Sequence, residues 1–370
     1  TSDANVSADN QRLRDKKVKD LTVVDKRRLV EVPTATLSHT LNPLMANQVV
    51  AVPVAAPPGH WIGAGGSMIM AEDKKTGVVR KHYIGMVTML YILAHIAGVD
   101  VVDGGDNESD LDRKMGAPVS SLIGHCLEGL SLWTLSPNTS ILDCMGVFSK
   151  GIHRALVPKD GHMENITGVE PLESASSYQM ITQMDLLRFL KNHNSSELDG
   201  IISRSVMELG AVNECVYAIT DRTRVIDAIQ CIRAGLLNAV PVVQSSDSLD
   251  EDPKQHINGR FRKLIGTFSS TDLRSCHLAT LQKWLPLSAI EFTETVLTSS
   301  LYATSKTEIS SRQLVTCHID SPLAEVIDKA VTKHVHRVCV VDQECFLVDL
   351  ISLTDIIRVI RVELVSYQHI

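Results

Sequence analysis

Residues 334–342 read HVHRVCVVD and residues 350–360 read LISLTDIIRVI, and these two stretches decide the fold. Each contains a short run rich in valine, leucine and isoleucine, which is typical of a buried strand. The second run passes into Ser352, two variable positions and Asp355, and then into an amphipathic helix. A helix is also predicted ahead of the strands, because residues 322–333 place apolar side chains at helical spacing. The pattern predicts a unit of helix, strand, strand and helix.

The same unit occurs three more times earlier in the chain. A hydroxyl residue, two variable positions, an acid and a helix recur at residues 182–185 and 269–272, and residues 88–91 keep the pattern with Tyr91 in the acid position. The four hydroxyl residues are 94, 87 and 83 residues apart along the chain. Repeats of this length are folded modules rather than the short units of a solenoid. Strand-like apolar runs lie upstream at residues 49–54, 153–157, 239–243 and 336–341.

The repeats predict an α/β fold of four tandem α+β units. A unit of two or three strands and two helices cannot cover both faces of its sheet, so we expect the units to pair. We predict that the first pairs with the second and the third with the fourth, and that the two pairs form a disc. The predicted unit boundaries are residues 18–98, 115–194, 200–285 and 305–370.

Composition excludes several functional classes. The 36 basic and 43 acidic residues give a net charge of −7, which leaves no basic footprint for a nucleic acid. Eight cysteines occur without a Cys-x-x-Cys pair, as is typical of reduced, buried thiols. The first residues lack the apolar core of a signal peptide. We therefore expect a protein of the cytoplasm, with the nucleus as a second compartment.

One apolar segment needs a membrane test. Residues 83–99 read YIGMVTMLYILAHIAGV, which is at the short limit for a membrane-spanning helix. The recurrence of a strand followed by a helix in the other copies favours a buried strand and a buried helix here. We therefore predict no membrane partner.

The turn between strand and helix carries the candidate binding residues. A carboxylate at the start of the helix can accept two hydrogen bonds from a vicinal diol such as a ribose. The same pattern also resembles a helix capping box. The motif occurs three times, each time directly after an apolar strand, and a helix cap alone requires no such fixed position. This recurrence favours a ligand site. The candidates are Asp185, Asp272 and Asp355, supported by the hydroxyls of Thr182, Ser269 and Ser352.

These repeats resemble CBS domains, from about residue 18 to the C-terminus, and the fourth copy is similar to the last CBS repeat of the gamma subunits of AMP-activated and SNF1-related protein kinases. The resemblance implies a non-catalytic regulatory subunit that binds AMP, ADP or ATP in clefts between repeats. It also implies a catalytic α subunit and a scaffold β subunit as partners. In that family, His-Arg pairs at the strand start reach the nucleotide phosphates. The pairs in this chain are His153-Arg154 and His336-Arg337.

The copies depart from typical gamma subunits. The first copy has Val50 and Tyr91, so its site is expected to be empty or altered, and the third has Asn238-Ala239 in place of His-Arg. The second copy carries Asp185, where the typical gamma subunits have no acid. Together with the long inserted loops, these features look like the plant gamma-like CBS proteins.

Two other functions stay open at this stage. The chain could be a structural CBS module that has lost nucleotide binding, or a sensor of another adenosyl ligand such as S-adenosylmethionine, although the basic pairs argue against a ligand without phosphate. No metal is expected, because His334 and His336 lack a third ligand nearby. No enzyme is expected, because the sequence has no Gly-x-Ser-x-Gly, no His-Glu-x-x-His and no P-loop at the glycines of residues 63–66.

Overall fold

The computed structural model describes thirteen stretches of the chain, and the glycines at 63–66 and most of the acidic loop at 101–114 lie outside them. The described residues are 12–22, 32–33, 36–47, 49–55, 83–97, 112–123, 135–158, 178–193, 195–213, 215–248, 250–275, 283–296 and 314–366.

Every repeat is built on an antiparallel strand hairpin that is preceded by a helix. The strands are β1 (Val32–Pro33), β2 (Ala51–Ala55), β3 (Tyr83–Thr88), β4 (Arg154–Pro158), β5 (Tyr178–Thr182), β6 (Tyr217–Thr220), β7 (Ala239–Val243), β8 (Ile257–Asn258), β9 (Leu264–Ser269), β10 (Thr316–Cys317), β11 (Arg337–Val341) and β12 (Leu347–Ser352).

The helices flank these hairpins. They are α1 (Val18–Thr22), α2 (Leu37–Ala46), α3 (Met89–Ala97), α4 (Ile141–Phe148), α5 (Gln183–Asn192), α6 (Ser196–Ile202), α7 (Val225–Ala234), α8 (Ala289–Glu291, continued by a π-helix at Phe292–Val296), α9 (Leu323–Lys333) and α10 (Leu353–Ser366). Short 3₁₀ helices occupy Leu13–Asp15, Val119–Leu122 and Ser270–Ser275.

The four hairpins share one register. In each, the first residue of the leading strand pairs with the hydroxyl residue that ends the second strand. The pairs are Ala51 with Thr88, Arg154 with Thr182, Ala239 with Ser269, and Arg337 with Ser352. The hydroxyl residues of the four sequence repeats therefore occupy equivalent positions in the structure. The predicted strands at these positions are confirmed.

Short additional strands complete the sheets. The strands β1, β6 and β10 lie parallel to β2, β7 and β11, and β8 pairs antiparallel with β6. The sequence interpretation missed them because two to four residues are too few to show a period. The polar segment 244–263, the third-repeat hairpin connection between β7 and β9, contains β8.

Connecting segments cross over between adjacent repeats. Isolated backbone bridges join Lys17 to Ser140 and Thr36 to Pro118, and Ser205 to Pro322 and Arg224 to Ser288. Residues 12–22, which overlap the start of the predicted first unit, pack in the core of the second repeat, whereas residues 112–123 pack on the first. In the same way, residues 195–213 precede the third repeat but pack in the core that contains the fourth. Residues 283–296 follow the third repeat and pack on it. The predicted unit boundaries stay predictions.

Two large cores join repeats of different pairs. The second repeat shares one core with the fourth, where α10 contacts α4 and α5, and α9 contacts α5. The first repeat shares the other core with the third, where α3 contacts α7. A smaller core, including Val243 and Leu347, joins the sheets of the third and fourth repeats. The cores therefore join the second repeat to the fourth, the fourth to the third, and the third to the first.

The apolar segment at residues 83–99 begins as the strand β3 and continues as the helix α3, whose residues 89–94 are buried. This confirms the predicted strand and helix. Within the stretches of chain that the structure describes, no helix is both long and apolar enough to cross a membrane.

Most cysteines in the described stretches are buried. Cys144, Cys231, Cys317 and Cys339 are buried free thiols, and burial raises the pKa of Cys144 to about 12. Cys215 is exposed, so the expectation of burial is wrong for this residue. It lies in the segment just before β6, where the chain crosses the surface.

Candidate functional site

The turn of the fourth repeat is a complete capping box around Asp355. Oδ2 of Asp355 accepts hydrogen bonds from the Ser352 backbone N–H at 2.9 Å and from the Ser352 hydroxyl at 2.6 Å. The Asp355 N–H donates back to the Ser352 Oγ at 3.2 Å. Oδ1 accepts from Arg358 Nη2 at 3.1 Å. Both carboxylate oxygens therefore have partners at the start of α10.

The second repeat reproduces this arrangement around Asp185. Its Oδ2 accepts from the Thr182 N–H and the Thr182 hydroxyl, both at 2.8 Å. Its Oδ1 accepts from Arg188 Nη1 at 3.3 Å. The motif of these two repeats thus extends one turn further, to Ser/Thr-x-x-Asp-x-x-Arg. The sequence analysis missed this arginine, although its spacing is visible in both copies.

The third and first repeats lack the full arrangement. Asp272 accepts from the Ser269 N–H at 2.8 Å, but the Ser269 hydroxyl contacts Thr271 instead, at 2.9 Å. A 3₁₀ helix, Ser270–Ser275, follows this turn. In the first repeat the Tyr91 N–H donates to the Thr88 hydroxyl at 3.3 Å, and the tyrosine side chain is buried in the core.

Arg337 is the first residue of β11 and pairs with Ser352 in the fourth-repeat hairpin. Its Nη1 is buried and has no hydrogen-bond partner among the described residues. Burial lowers the pKa of this guanidinium to about 10, and the charge of Asp355 opposes the decrease. The side chain therefore stays cationic at neutral pH. A buried cationic donor without a partner is costly to fold, which makes it a candidate for anion recognition.

The other predicted basic residues lie at the equivalent strand starts. His153, Arg154 and His336 are all partly buried. The backbone carbonyl of His153 accepts from the Gln183 N–H at 3.1 Å. Its imidazole contacts the side-chain amide of Asn238, the residue that replaces histidine in the third repeat. The strand starts of the second and third repeats therefore meet.

Two side chains connect the turns of the second and fourth repeats. Gln183 is 4% exposed, and its Nε2 donates to the Phe148 carbonyl at 3.0 Å and to the Thr354 hydroxyl at 2.9 Å. Arg188 Nη2 lies 3.1 Å from Nδ1 of His334. The structure thus brings the turns of Asp185 and Asp355 together. The helix that contains Asp272 packs instead against α2 and α3 of the first repeat.

Comparison with known proteins identifies the family. The CBS domain model matches residues 306–362. The chain is 60% identical to SNF1-related protein kinase regulatory subunit gamma-like PV42a of Arabidopsis thaliana, over 95% of this chain and 97% of that protein. It is 57% identical to PV42b of the same plant, over 96% and 97% of the two chains. The chain belongs to the gamma-like PV42 family. The resemblance drawn from the repeat motifs is confirmed.

A solved structure supports the fold of the gamma-like family. Protein MJ1225 from Methanocaldococcus jannaschii, described as a candidate archaeal homologue of g-AMPK, has a TM-score of 0.57 with this chain at 16% identity. The match covers 93% of this chain and 99% of the archaeal chain. The predicted fold class of four CBS repeats is confirmed.

The histidines near the fourth-repeat strand are the residues of this gamma-like chain that the sequence brought into question as metal ligands. Where the structure describes side chains, no group of three or more histidine, cysteine, aspartate and glutamate residues is placed to hold a metal ion. His334, considered as a ligand from sequence, contacts Arg188 instead.

Asp349 is a buried acid of this gamma-like chain that the sequence analysis did not select. It lies in β12, is 1% exposed, and accepts a hydrogen bond from the Asn213 N–H in the crossing segment. Burial raises the pKa of Asp349 to about 6, although the Asn213 N–H acts in the opposite direction. The available signal was an acid inside the apolar run FLVDLIS.

Proposed function

We propose that this chain is a non-catalytic regulatory subunit of an SNF1-related protein kinase complex, and that it binds adenine nucleotides in the clefts between CBS repeats. Family membership supports the regulatory role, because both PV42 relatives are named as kinase regulatory subunits. The observation that carries nucleotide binding is Arg337, whose buried Nη1 has no hydrogen-bond partner among the described residues. Catalytic α and scaffold β kinase subunits are the proposed protein partners.

The fourth repeat is the best candidate cleft. Arg337 and His336 would bind phosphate oxygens, since a guanidinium offers forked donors and an imidazole adds a further donor. Asp355 would accept the ribose hydroxyls. A ribose must then share or replace the Arg358 hydrogen bond to Oδ1.

The second repeat is the next candidate, with Arg154 and His153 at the strand start and Asp185 in the turn. The third repeat has Asp272 but carries Asn238 and Ala239 at the basic positions. We therefore expect weaker binding of an anionic ligand there. The first repeat, with Tyr91 in the core, is expected not to bind.

One observation favours a second function, that of a structural CBS module. Both oxygens of Asp185 and both oxygens of Asp355 already accept hydrogen bonds inside the chain. These carboxylates therefore have a complete capping role without any ligand.

A ligand titration separates the two functions. We would measure thermal shift and heats of binding with AMP, ADP, ATP and S-adenosylmethionine for the wild type and for Arg337→Gln. The matched control is Arg224→Gln, which removes the same charge from an exposed ion pair with Asp227. Ligand at 100 times its dissociation constant should stabilise the fold by about 2.7 kcal/mol.

Each result selects one function. A nucleotide shift that Arg337→Gln loses and Arg224→Gln keeps supports the nucleotide site. A response to S-adenosylmethionine alone would indicate another adenosyl sensor. Silence from all four ligands, with co-purification of SNF1-related kinase α and β subunits, would leave the structural module. Failure to bind those subunits would reject the kinase role.

A further inference from the structure

Arg188 contacts two repeats at once. Its Nη1 donates to Asp185 Oδ1 in the turn of its own repeat at 3.3 Å, and its Nη2 lies 3.1 Å from His334 Nδ1 in the fourth repeat. The arginine at the same motif position of the fourth repeat, Arg358, donates to Asp355 in its own helix. The two arginines therefore share a local role, and Arg188 has a second contact across the repeat boundary.

His334 holds a special backbone position. It ends α9 in the left-handed conformation, with φ of 53°, and stands two residues before His336. Gly151 holds the equivalent position in the second repeat, with φ of 88°. The backbone of a residue other than glycine is strained in this conformation. A small change in the contacts of the His334 side chain can therefore alter the path of the chain into β11. That path positions His336 and Arg337.

A second hydrogen bond keeps the two turns in register. Gln183, next to Thr182, donates to the hydroxyl of Thr354, next to Asp355. Gln183 is buried and also donates to the Phe148 carbonyl, whereas the Arg188 side chain is 38% exposed. Of the two contacts between the turns, that of Arg188 is therefore the one open to solvent and to a ligand.

We propose that Arg188 couples occupancy of the second-repeat cleft to the conformation of the fourth-repeat cleft. This inference rests on the proposed nucleotide function. Ribose hydroxyls that bind Asp185 Oδ1 displace Arg188 Nη1, and the guanidinium is a rigid plane, so Nη2 leaves His334 as well. The segment from His334 to Arg337 then changes its dynamics. The coupling is reciprocal, so a ligand in the fourth repeat alters the affinity of the second.

Hydrogen exchange with mass spectrometry tests this coupling in the full chain. The protein carries Arg337→Gln, which disables the fourth-repeat cleft, and AMP is the probe. We expect AMP to alter exchange at residues 178–188 and also to alter exchange at residues 330–341 by about fivefold, the lower end of typical coupling. Adding Arg188→Gln should abolish the distant change, and adding Arg358→Gln should preserve it.

A second variant covers the case in which Arg188→Gln weakens AMP binding itself. His334→Gly copies Gly151, suits the left-handed backbone and keeps Asp185 and Arg188 themselves in place in the second repeat. With this variant, AMP should still protect residues 178–188 and should no longer affect residues 330–341.

The outcomes distinguish this inference from the proposed function. A change at residues 178–188 without one at 330–341 overturns the coupling and leaves nucleotide binding intact. A distant change that survives both Arg188→Gln and His334→Gly also overturns it. If AMP affects neither segment, nucleotide binding at this cleft fails, and the coupling is rejected with it.

Discussion

The side-chain amide of Gln183 donates a 2.9 Å hydrogen bond to the Thr354 hydroxyl and a 3.0 Å hydrogen bond to the Phe148 carbonyl. Gln183→Leu introduces the residue type that the fourth repeat has at this position, Leu353. It removes both side-chain hydrogen bonds and leaves the Phe148 carbonyl with the Gly151 N–H, at 3.3 Å, as its donor. We expect a loss of about 1–3 kcal/mol in the free energy of unfolding, measured in urea. The exposed Gln343→Leu serves as control and should stay within about 0.5 kcal/mol of wild type. Equal losses in both would contradict a specific role.

Asp349 predicts a pH dependence of stability. Because its pKa is about 6 in the folded protein and near 3.8 when unperturbed, the folded state binds the proton more tightly than the unfolded state. Stability from this group is therefore present below pH 4 and is lost as the pH rises through about 6. The loss should be up to about 3 kcal/mol, since the pKa differs by about 2 units and each unit corresponds to about 1.4 kcal/mol.

The measurement is the urea midpoint between pH 4 and 7. Asp349→Asn keeps an oxygen for the Asn213 N–H and should remove this component of the slope. Asp320→Asn, at an exposed carboxylate, should leave the slope unchanged. A slope that persists in Asp349→Asn would assign it to other groups.

Leu236 predicts a stabilising substitution. It is 54% exposed and has φ of 51°, at the position equivalent to Gly151. Relief of the left-handed strain exceeds the entropy cost of glycine, so Leu236→Gly should raise stability by about 0.5–1 kcal/mol. Leu314→Gly, at another exposed leucine without positive φ, should destabilise. A lower melting temperature for Leu236→Gly would show that its side chain has a stabilising contact.

Gly266 allows the close packing of residues 283–296, the segment between the third and fourth repeats, against the third-repeat sheet. A Cβ atom at Gly266 would lie 2.6 Å from the Ile290 Cδ1, so Gly266→Ala should cost about 1–3 kcal/mol through overpacking. Ile290→Val removes that Cδ1 atom and should partly rescue the variant. Gly200→Ala, in α6 with open space around it, should be neutral or stabilising by up to about 1 kcal/mol. Absence of rescue would place the strain elsewhere.

Asp355 separates capping from binding. Asp355→Ala removes the capping box and should cost about 0.5–2 kcal/mol in stability, whether or not a ligand binds. Asp355→Asn keeps an oxygen acceptor and should be less destabilising, yet it loses the charged acceptor and should weaken AMP binding by about tenfold or more. Calorimetry and thermal melts on both variants check this. Unchanged AMP affinity in Asp355→Asn would remove this carboxylate from the site.

Sequence reasoning reached the fold because the hairpin and its turn are local. The pairing of Arg337 with Ser352 depends on one short strand connection, and the same spacing repeats along the chain. The contacts between repeats could not be reached in this way. Nothing in the neighbours of Arg188 marks His334 as its partner, since the two are distant in sequence and meet only after helix packing.

Site prediction had a similar limit. The acids and hydroxyls were visible as a motif, but whether they cap a helix or await a ligand depends on both oxygens of each carboxylate. The sequence shows an arginine three positions after the acid in two repeats, but it does not show that this arginine donates a hydrogen bond to the carboxylate. The acid at position 349 was equally visible, but its Asn213 partner comes from the segment before the third repeat.

The exchanged segments have a consequence for biosynthesis. Residues 195–213 are made before the third repeat but pack in the core that contains the fourth, so their packing is complete only after the fourth repeat has been synthesised. Arg14 is synthesised earlier still, yet it donates a 2.9 Å hydrogen bond to the carbonyl of Leu364 in α10. Such distant contacts slow folding and leave apolar surface exposed on the nascent chain. The core shared by the second and fourth repeats is therefore complete only after α10 has left the ribosome.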